Sequence, residues 1–171
     1  MAFRVQPEAA AAVLWRFVGR GDTSAWEHPG CPVGVVEIDG AVCTGYGMCA
    51  RACPSQALGY GEAAGEVWVR FDQARCTACE LCVSRCPERA RGAIRVSRRL
   101  EPEALRAGRR QLFRTSLRRC VVCGAPVAPG PLLDRVLGLL GEDAASLRQV
   151  LADCCVSCRP LRRTREEARR G

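Results

Sequence analysis

Two short stretches of the chain are rich in apolar residues in the same setting. "GVVEIDG" (Gly34 to Gly40) and "EVWVRFD" (Glu66 to Asp72) carry β-branched or aromatic residues and predict short strands. Each is followed within a few residues by a dense cysteine group. A short apolar exit comes next, "QALGY" after the first group and "GAIRV" after the second. The order strand, cysteine loop, short helix, strand therefore occurs twice, and this internal duplication is the strongest organisational signal in the chain.

The flanks have patterns of their own. Pro7 to Val18 predicts a short helix: Pro7 suits the first turn, alanines follow, and Gly19 ends it. Val13, Leu14, Phe17 and Val18 give it an apolar stripe, to pack on its own protein or on a larger partner. Asp22 to Pro32 is an irregular lead-in loop containing His28 and Cys31. In "SRRLEPEALRAGRRQLFRTSLRR" (Ser97 to Arg119), Leu105, Leu112, Phe113 and Leu117 are spaced roughly as a helix face. That spacing predicts a basic linker helix, weakened at Gly108. Helices are also predicted at Pro131 to Leu140 and Glu142 to Asp153, before an Arg- and Glu-rich tail from Leu161.

Composition narrows the chemistry. Thirteen of 171 residues are cysteine, an odd total grouped in tight C-x-x-C pairs. Partners so close in sequence cannot staple distant loops, so metal or cluster binding in a reducing compartment fits better than disulfides. His28 is the single histidine, which excludes histidine-rich metal sites. The net charge of +8 comes entirely from arginine and favours acidic partners. The apolar run near the start is too short for an export signal, and no run approaches the roughly 18 apolar residues of a membrane span. The expectation is a cytoplasmic protein, or a peripheral subunit on the cytoplasmic side of a membrane complex.

"CTGYGMCARACP" (Cys43 to Pro54) and "CTACELCVSRCP" (Cys76 to Pro87) align with an offset of 33. The second copy reads C-x2-C-x2-C-x3-C-P, the bacterial run for [4Fe–4S] ligation. In the first, Tyr46 stands where the second has Cys79. With these motifs, Val35 to Val96 resembles the bacterial two-cluster ferredoxins and the ferredoxin-like electron-transfer subunits of larger redox complexes. In that family the fourth cysteine of each run serves the other cluster. The resemblance therefore implies one complete [4Fe–4S] site, Cys53, Cys76, Cys79 and Cys82, and a second at Cys43, Cys49 and Cys86, short of a ligand at Tyr46. About three extra residues follow Cys86 when the copies are compared, beside the incomplete site.

Three outcomes are open at Tyr46. The second cluster is [3Fe–4S], as in related seven-iron ferredoxins that lack this cysteine. Or it is a labile [4Fe–4S] completed by an exchangeable oxygen ligand or by Cys31. Or the site is empty, with Tyr46 as an aromatic plug. A phenol with a pKa of about 10 is a poor direct ligand for iron, and three retained cysteines argue against simple decay.

A second cysteine group follows. Cys120, Cys123, Cys155 and Cys158 form paired C-x-x-C motifs suited to tetrahedral Zn2+, with Gly124 allowing the knuckle turn and Cys154 as a substitute for Cys155. A third iron–sulfur cluster is the rival reading.

The expected fold class is α+β: a duplicated ferredoxin-like two-cluster core with an N-terminal helix and a C-terminal helical four-cysteine zinc-type module. The expected organisation is residues 1–32 for the N-terminal helix and lead-in loop, 33–97 for the dicluster domain, 98–119 for the basic linker helix, 120–160 for the metal-binding helical module and 161–171 for the charged tail. No flavin, molybdenum or phosphate-cradling motif is visible, so the chain has no substrate-converting site of its own. The expected function is electron relay to or from larger redox enzyme subunits with an acidic docking face: a hydrogenase, a formate or molybdopterin oxidoreductase, or a quinone-linked complex. The alternative is a basic zinc-containing nucleic-acid-binding or regulatory protein with structural or sensing clusters. The arginines at 98, 99, 106, 109, 110, 114, 118 and 119 support it, while the single aromatic Phe113 in that stretch leaves no stacking platform.

Overall fold

A computed structural model describes residues 24–140 and 150–160. The helices expected at Pro7 to Val18 and over most of Glu142 to Asp153, and the tail from Leu161, lie outside the described residues. The chain divides into two compact units. Among the described residues the first holds 24–43, 47–61 and 68–113, and the second 44–46, 62–67, 114–140 and 150–160.

Small sheets and short helices make up the fold, a mixed α+β arrangement. Strand β1 (Trp26–Glu27) precedes β2 (Val35–Ile38), helix α1 (Met48–Arg51) and strand β3 (Leu58–Ala63). Strand β4 (Glu66–Phe71), helix α2 (Leu81–Ser84) and strand β5 (Ile94–Ser97) repeat that order, with a 3-10 turn at Gln73–Arg75 and another at Arg89–Arg91. Antiparallel pairing joins β2 to β5, Val35 opposite Ser97 and Ile38 opposite Ile94. The first strand of the first copy thus meets the last strand of the second. Strands β3 and β4 are neighbours joined by Ala64 and Gly65, both with positive φ (52° and 80°). That pair of signs is what a two-residue hairpin turn of matching twist requires.

In β4, Val67, Val69 and Phe71 are buried while Glu66, Trp68 and Arg70 alternate on the other side, as a period of two dictates. Val69 and Phe71 join Val36, Ala57, Leu58, Ile94 and Phe113 in one apolar core, which also takes in Cys49, Cys76 and Cys82. The pairs Ala57–Leu58 and Ala93–Ile94 are buried alike. The extra residues of the second copy form the turn at Arg89–Arg91, closed by Gly92 at φ 79°. A separate small core holds Cys31, Val33, Leu100 and Leu105.

The region expected as one linker helix, residues 98–119, is mostly something else. Strand β6 (Arg99–Leu100) pairs with β1, helix α3 covers only Pro102–Ala107, and Arg110–Arg119 is the ten-residue strand β7. Gly108, at φ 68° and ψ −138°, ends α3. The misreading has a simple cause. Phe113 and Leu117 are four apart, a spacing that puts two residues on one face of a helix and equally on one face of a strand. Thr115 between them and Arg114, Ser116 and Arg118 on the other side make the strand pattern. Strand β8 (Pro126–Pro129) pairs with β7, in the sheet order β3-β4-β7-β8. Helix α4 (Gly130–Leu139) follows, one residue earlier than expected at each end.

Phe113→Ala removes an aromatic side chain from the main core and should cost about 3–5 kcal/mol of stability. Gly40→Ala adds a methyl that meets nothing within 4 Å and should stay within about 0.5 kcal/mol. Urea unfolding of the anaerobically purified proteins checks both.

Candidate metal centres

Both cysteine loops have the same backbone hand at matching places. Gly45 and Gly47 have φ of 72° and 78°, and Ala78 and Glu80, 33 positions later, have 50° and 58°. A side chain in this region costs of order 1–3 kcal/mol. The second copy accepts that cost twice, so its loop conformation is imposed by its surroundings. Turns of this kind draw successive N–H groups into a concavity that suits an anion such as a cluster sulfide. Gly47 and Glu80 then cap α1 and α2, which carry Cys49 and Cys82.

Cys53, Cys76, Cys79 and Cys82 line one cavity, partly open to solvent, with Val36, Ala57, Leu58 and Val96 as apolar wall. Cys76 and Cys82 are buried, Cys53 is half-buried and Cys79 is exposed. Burial, and then the nearby sulfurs of Cys76, Cys49 and Cys53, push the Cys82 thiol up to about 12. Burial also raises Cys76, partly offset by the N–H groups of Ala78 and Gly34 donating to its sulfur. The fold therefore makes thiolates here unfavourable until a cation arrives. A donor set of four sulfurs around one cavity fits a [4Fe–4S] cluster, which needs four thiolates.

Cys49 is pushed up to about 12 by burial first, then by Cys43 and, more weakly, Cys86. The structure thus brings Cys43, Cys49 and Cys86 together. Tyr46 is 47 % exposed, not packed away as an interior plug would be. Cys31 is not brought to these three: it is fully buried in the separate core with Val33, Leu100 and Leu105. Its carbonyl lies on the side of the second loop, bonded by Arg98, which also bonds Ala78.

In the second unit the sulfurs of Cys120, Cys123, Cys155 and Cys158 all lie within 4.8 Å of one another. The first knuckle is closed by Gly124, at φ 73°, whose N–H donates to the Cys120 carbonyl at 2.8 Å. The Cys155 N–H is the largest of the influences that lower Cys120 to about 6, and the N–H groups of Cys123 and Val122 assist. Hydrogen bonds with Cys123 and Cys155 push Cys158 up to about 12. Cys154 is fully buried next to this group, but the compact quartet uses Cys155. A tetrahedral ion with metal–sulfur bonds of about 2.3 Å separates its sulfurs by about 3.8 Å. The Cys123–Cys155 separation of 3.6 Å matches that edge. A cubane sets four irons between its thiolates and spreads them wider.

The arginine run of β7 is largely neutralised by the chain itself. Arg110 pairs with Glu101 at 3.4 Å, Arg114 with Glu66, and Arg118 with Asp134 at 2.5 Å. Arg75 and Arg98, by contrast, bond the carbonyl oxygens of Ser55, just after Cys53, and of Ala78, in the second cysteine loop. Sequence reasoning counted Arg98 only as charge and passed over Arg75. Its place immediately before Cys76 was the one available signal. His28 is exposed, stacked on Trp26 and accepting the Gly30 N–H at 2.9 Å, and it takes no part in any of these groups.

Residues 42–90 match the family model of the 4Fe-4S dicluster domain. That segment runs from just before Cys43 to past Cys86; over it the chain is ferredoxin-like, which supports an iron–sulfur electron-transfer role. A search of curated proteins found no match. No helix among the described residues is long and apolar enough to cross a membrane.

Gly47→Ala should destabilise the protein more than Gly92→Ala. Both positions have left-handed φ, but the new methyl at 47 would come 2.7 Å from the Tyr60 ring, while that at 92 meets nothing within 4 Å. Thermal unfolding should separate the two variants by at least about 1 kcal/mol, the scale of a strained contact.

Proposed function

We propose that the chain relays electrons to or from a larger redox enzyme through two clusters gripped crosswise by the duplicated loops. Cys53, Cys76, Cys79 and Cys82 hold the complete [4Fe–4S] cluster. Cys43, Cys49 and Cys86 hold the second, [3Fe–4S] or a labile [4Fe–4S], at the position where Tyr46 replaces a thiolate. When bound, the clusters supply one-electron chemistry. The polypeptide positions them, excludes water from one side and supplies the surrounding charges and N–H groups.

The observation that carries this reading is the single cavity lined by Cys53 together with Cys76, Cys79 and Cys82. Cys53 comes from the first run and the other three from the second, as crossed ligation requires. The matching left-handed residues in the first loop support a built second site over an empty one. The exposure of Tyr46 argues against the plug. A [3Fe–4S] cluster beside a cubane gives two centres of different potential and so a preferred direction of flow.

The compact quartet supports a single Zn2+ at Cys120, Cys123, Cys155 and Cys158, in place of a third iron–sulfur cluster. All four positions of that ion are then taken by protein, so it holds structure and performs no chemistry. The partner is an enzyme with an acidic docking face, such as a hydrogenase, a formate or molybdopterin oxidoreductase, or a quinone-linked complex. The net charge of +8 supports an acidic face.

EPR of anaerobically purified protein, as isolated and after dithionite, tests the cluster assignment. The expected result is a narrow, nearly isotropic signal as isolated and a reduced-cubane signal after dithionite. About seven irons and one zinc per chain should accompany them. Protein free of acid-labile sulfide would falsify the relay. For the quartet, Cys155→Ser should lose about one zinc per chain and Cys154→Ser should keep it, read by metal analysis. Equal loss in both would mean that Cys154 is a ligand.

A further inference from the structure

We propose that Arg75 and Arg98 are a fixed pair of cations that raise the reduction potential of the cluster held by Cys53, Cys76, Cys79 and Cys82. The inference rests on the reading that those four cysteines hold a cluster.

Arg75 donates from Nε to the Ser55 carbonyl at 3.0 Å and from Nη2 to Gln56 Oε1 at 3.4 Å. Ser55 lines the same cavity as the four cysteines, and its hydroxyl lies 3.6 Å from the Cys53 sulfur. Arg98 donates from Nη2 to the Ala78 carbonyl at 3.3 Å and from Nη1 to the Cys31 carbonyl at 3.0 Å. Ala78 lines the cavity too, and its N–H donates to the Cys76 sulfur. Each guanidinium is thus tied by two hydrogen bonds to the cavity wall or its support, one on the Cys53 side and one on the turn between Cys76 and Cys79.

Their acceptors are neutral and lie on the cavity wall or its support; Arg89, Arg119 and Arg159 also bond only carbonyl oxygens, but of residues that do not line this cavity. Arg91, Arg99, Arg110, Arg114 and Arg118 all pair with carboxylates. Arg75 and Arg98 bond only neutral oxygens among the described residues, so their charge is uncompensated at the point of contact. Glu80, the one acidic residue on the cavity wall, opposes them. The balance is one net positive charge.

Reduction adds one electron, and so one negative charge, to the cluster and its thiolates. A held cation nearby stabilises that state more than the oxidised one. The Arg98–Ala78 bond adds a second route, because a carbonyl bonded to a cation polarises the peptide groups that follow it. Arg75 is half-buried and Arg98 is exposed, so water screens Arg98 more and Arg75 should have the larger effect.

The test is a dye-coupled redox titration of the anaerobic holoprotein, followed by EPR of the reduced cubane. Arg75→Gln and Arg98→Gln should each lower the potential, and the double variant should shift the equilibrium with a one-electron dye about tenfold, or about 59 mV. Glu80→Gln should raise the potential. Arg98→Lys, which keeps the charge, should stay near wild type. Arg70→Gln removes the same charge from the face of β4 opposite the core and should leave the potential unmoved. Arginine-to-glutamine variants that keep the wild-type EPR signal and also the wild-type potential overturn the inference while leaving the cluster assignment standing. Wild-type protein without a cubane signal overturns both. Should Arg98→Gln fail to assemble a cluster, Arg75→Gln and Glu80→Gln decide the matter by the signs of their shifts.

Discussion

Burying a thiolate is unfavourable, and burying several within reach of one another is more so, because each raises the proton affinity of the next. Cys49, Cys76 and Cys82 sit inside the main apolar core, and Cys49 and Cys82 are driven far above the ordinary thiol range by burial and by neighbouring sulfurs. The rest of the first unit answers to that conflict. The core is completed by valines, Phe71 and Phe113 around the sulfurs. A multivalent cation lets the thiols ionise and turns mutual repulsion into shared attraction. Folding of this unit and loading of its metal are in that sense one problem.

The backbone is prepared for the same event. The second loop holds Ala78 and Glu80 in a conformation that glycine adopts freely and they do not. Its first-copy counterparts are glycines, so the loop shape persists where Tyr46 stands at the position of Cys79. The quartet of the second unit solves a smaller version of the problem. There hydrogen bonds from backbone N–H groups lower Cys120, while hydrogen bonds with Cys123 and Cys155 raise Cys158.

Much of this was legible in the sequence. Cysteine spacing, the offset of 33 and the strand patterns around Val36 and Val69 gave the repeat, because local spacing carries that information. The pairing of C-x-x-C knuckles likewise pointed to the four sulfurs that converge. What was missed depends on distant chain segments. The strand Arg110–Arg119 was hidden because a four-residue spacing serves both periods. Cys31, near Cys43 in sequence, packs instead with Leu100 and Leu105, which follow the second copy. Nor does any local pattern say that Arg114 and Arg118 would meet Glu66 and Asp134, 48 and 16 residues away. A run of arginine looks like a surface for phosphates until its counter-ions are found.

Two consecutive ladders, β1 with β6 and β2 with β5, bring the segment before the repeat alongside the segment after it. Val35 faces Ser97 directly, so the repeat begins and finishes at one spot. Directly opposed residues in an antiparallel pair stand only about 5 Å apart. A unit with adjoining ends can be spliced into a surface loop of a host protein without stretching it, since the host has almost no gap to bridge. The zipped ends supply one half of that portability; the other half is missing, because Phe113 of β7, outside the repeat, completes its core and β7 extends its sheet.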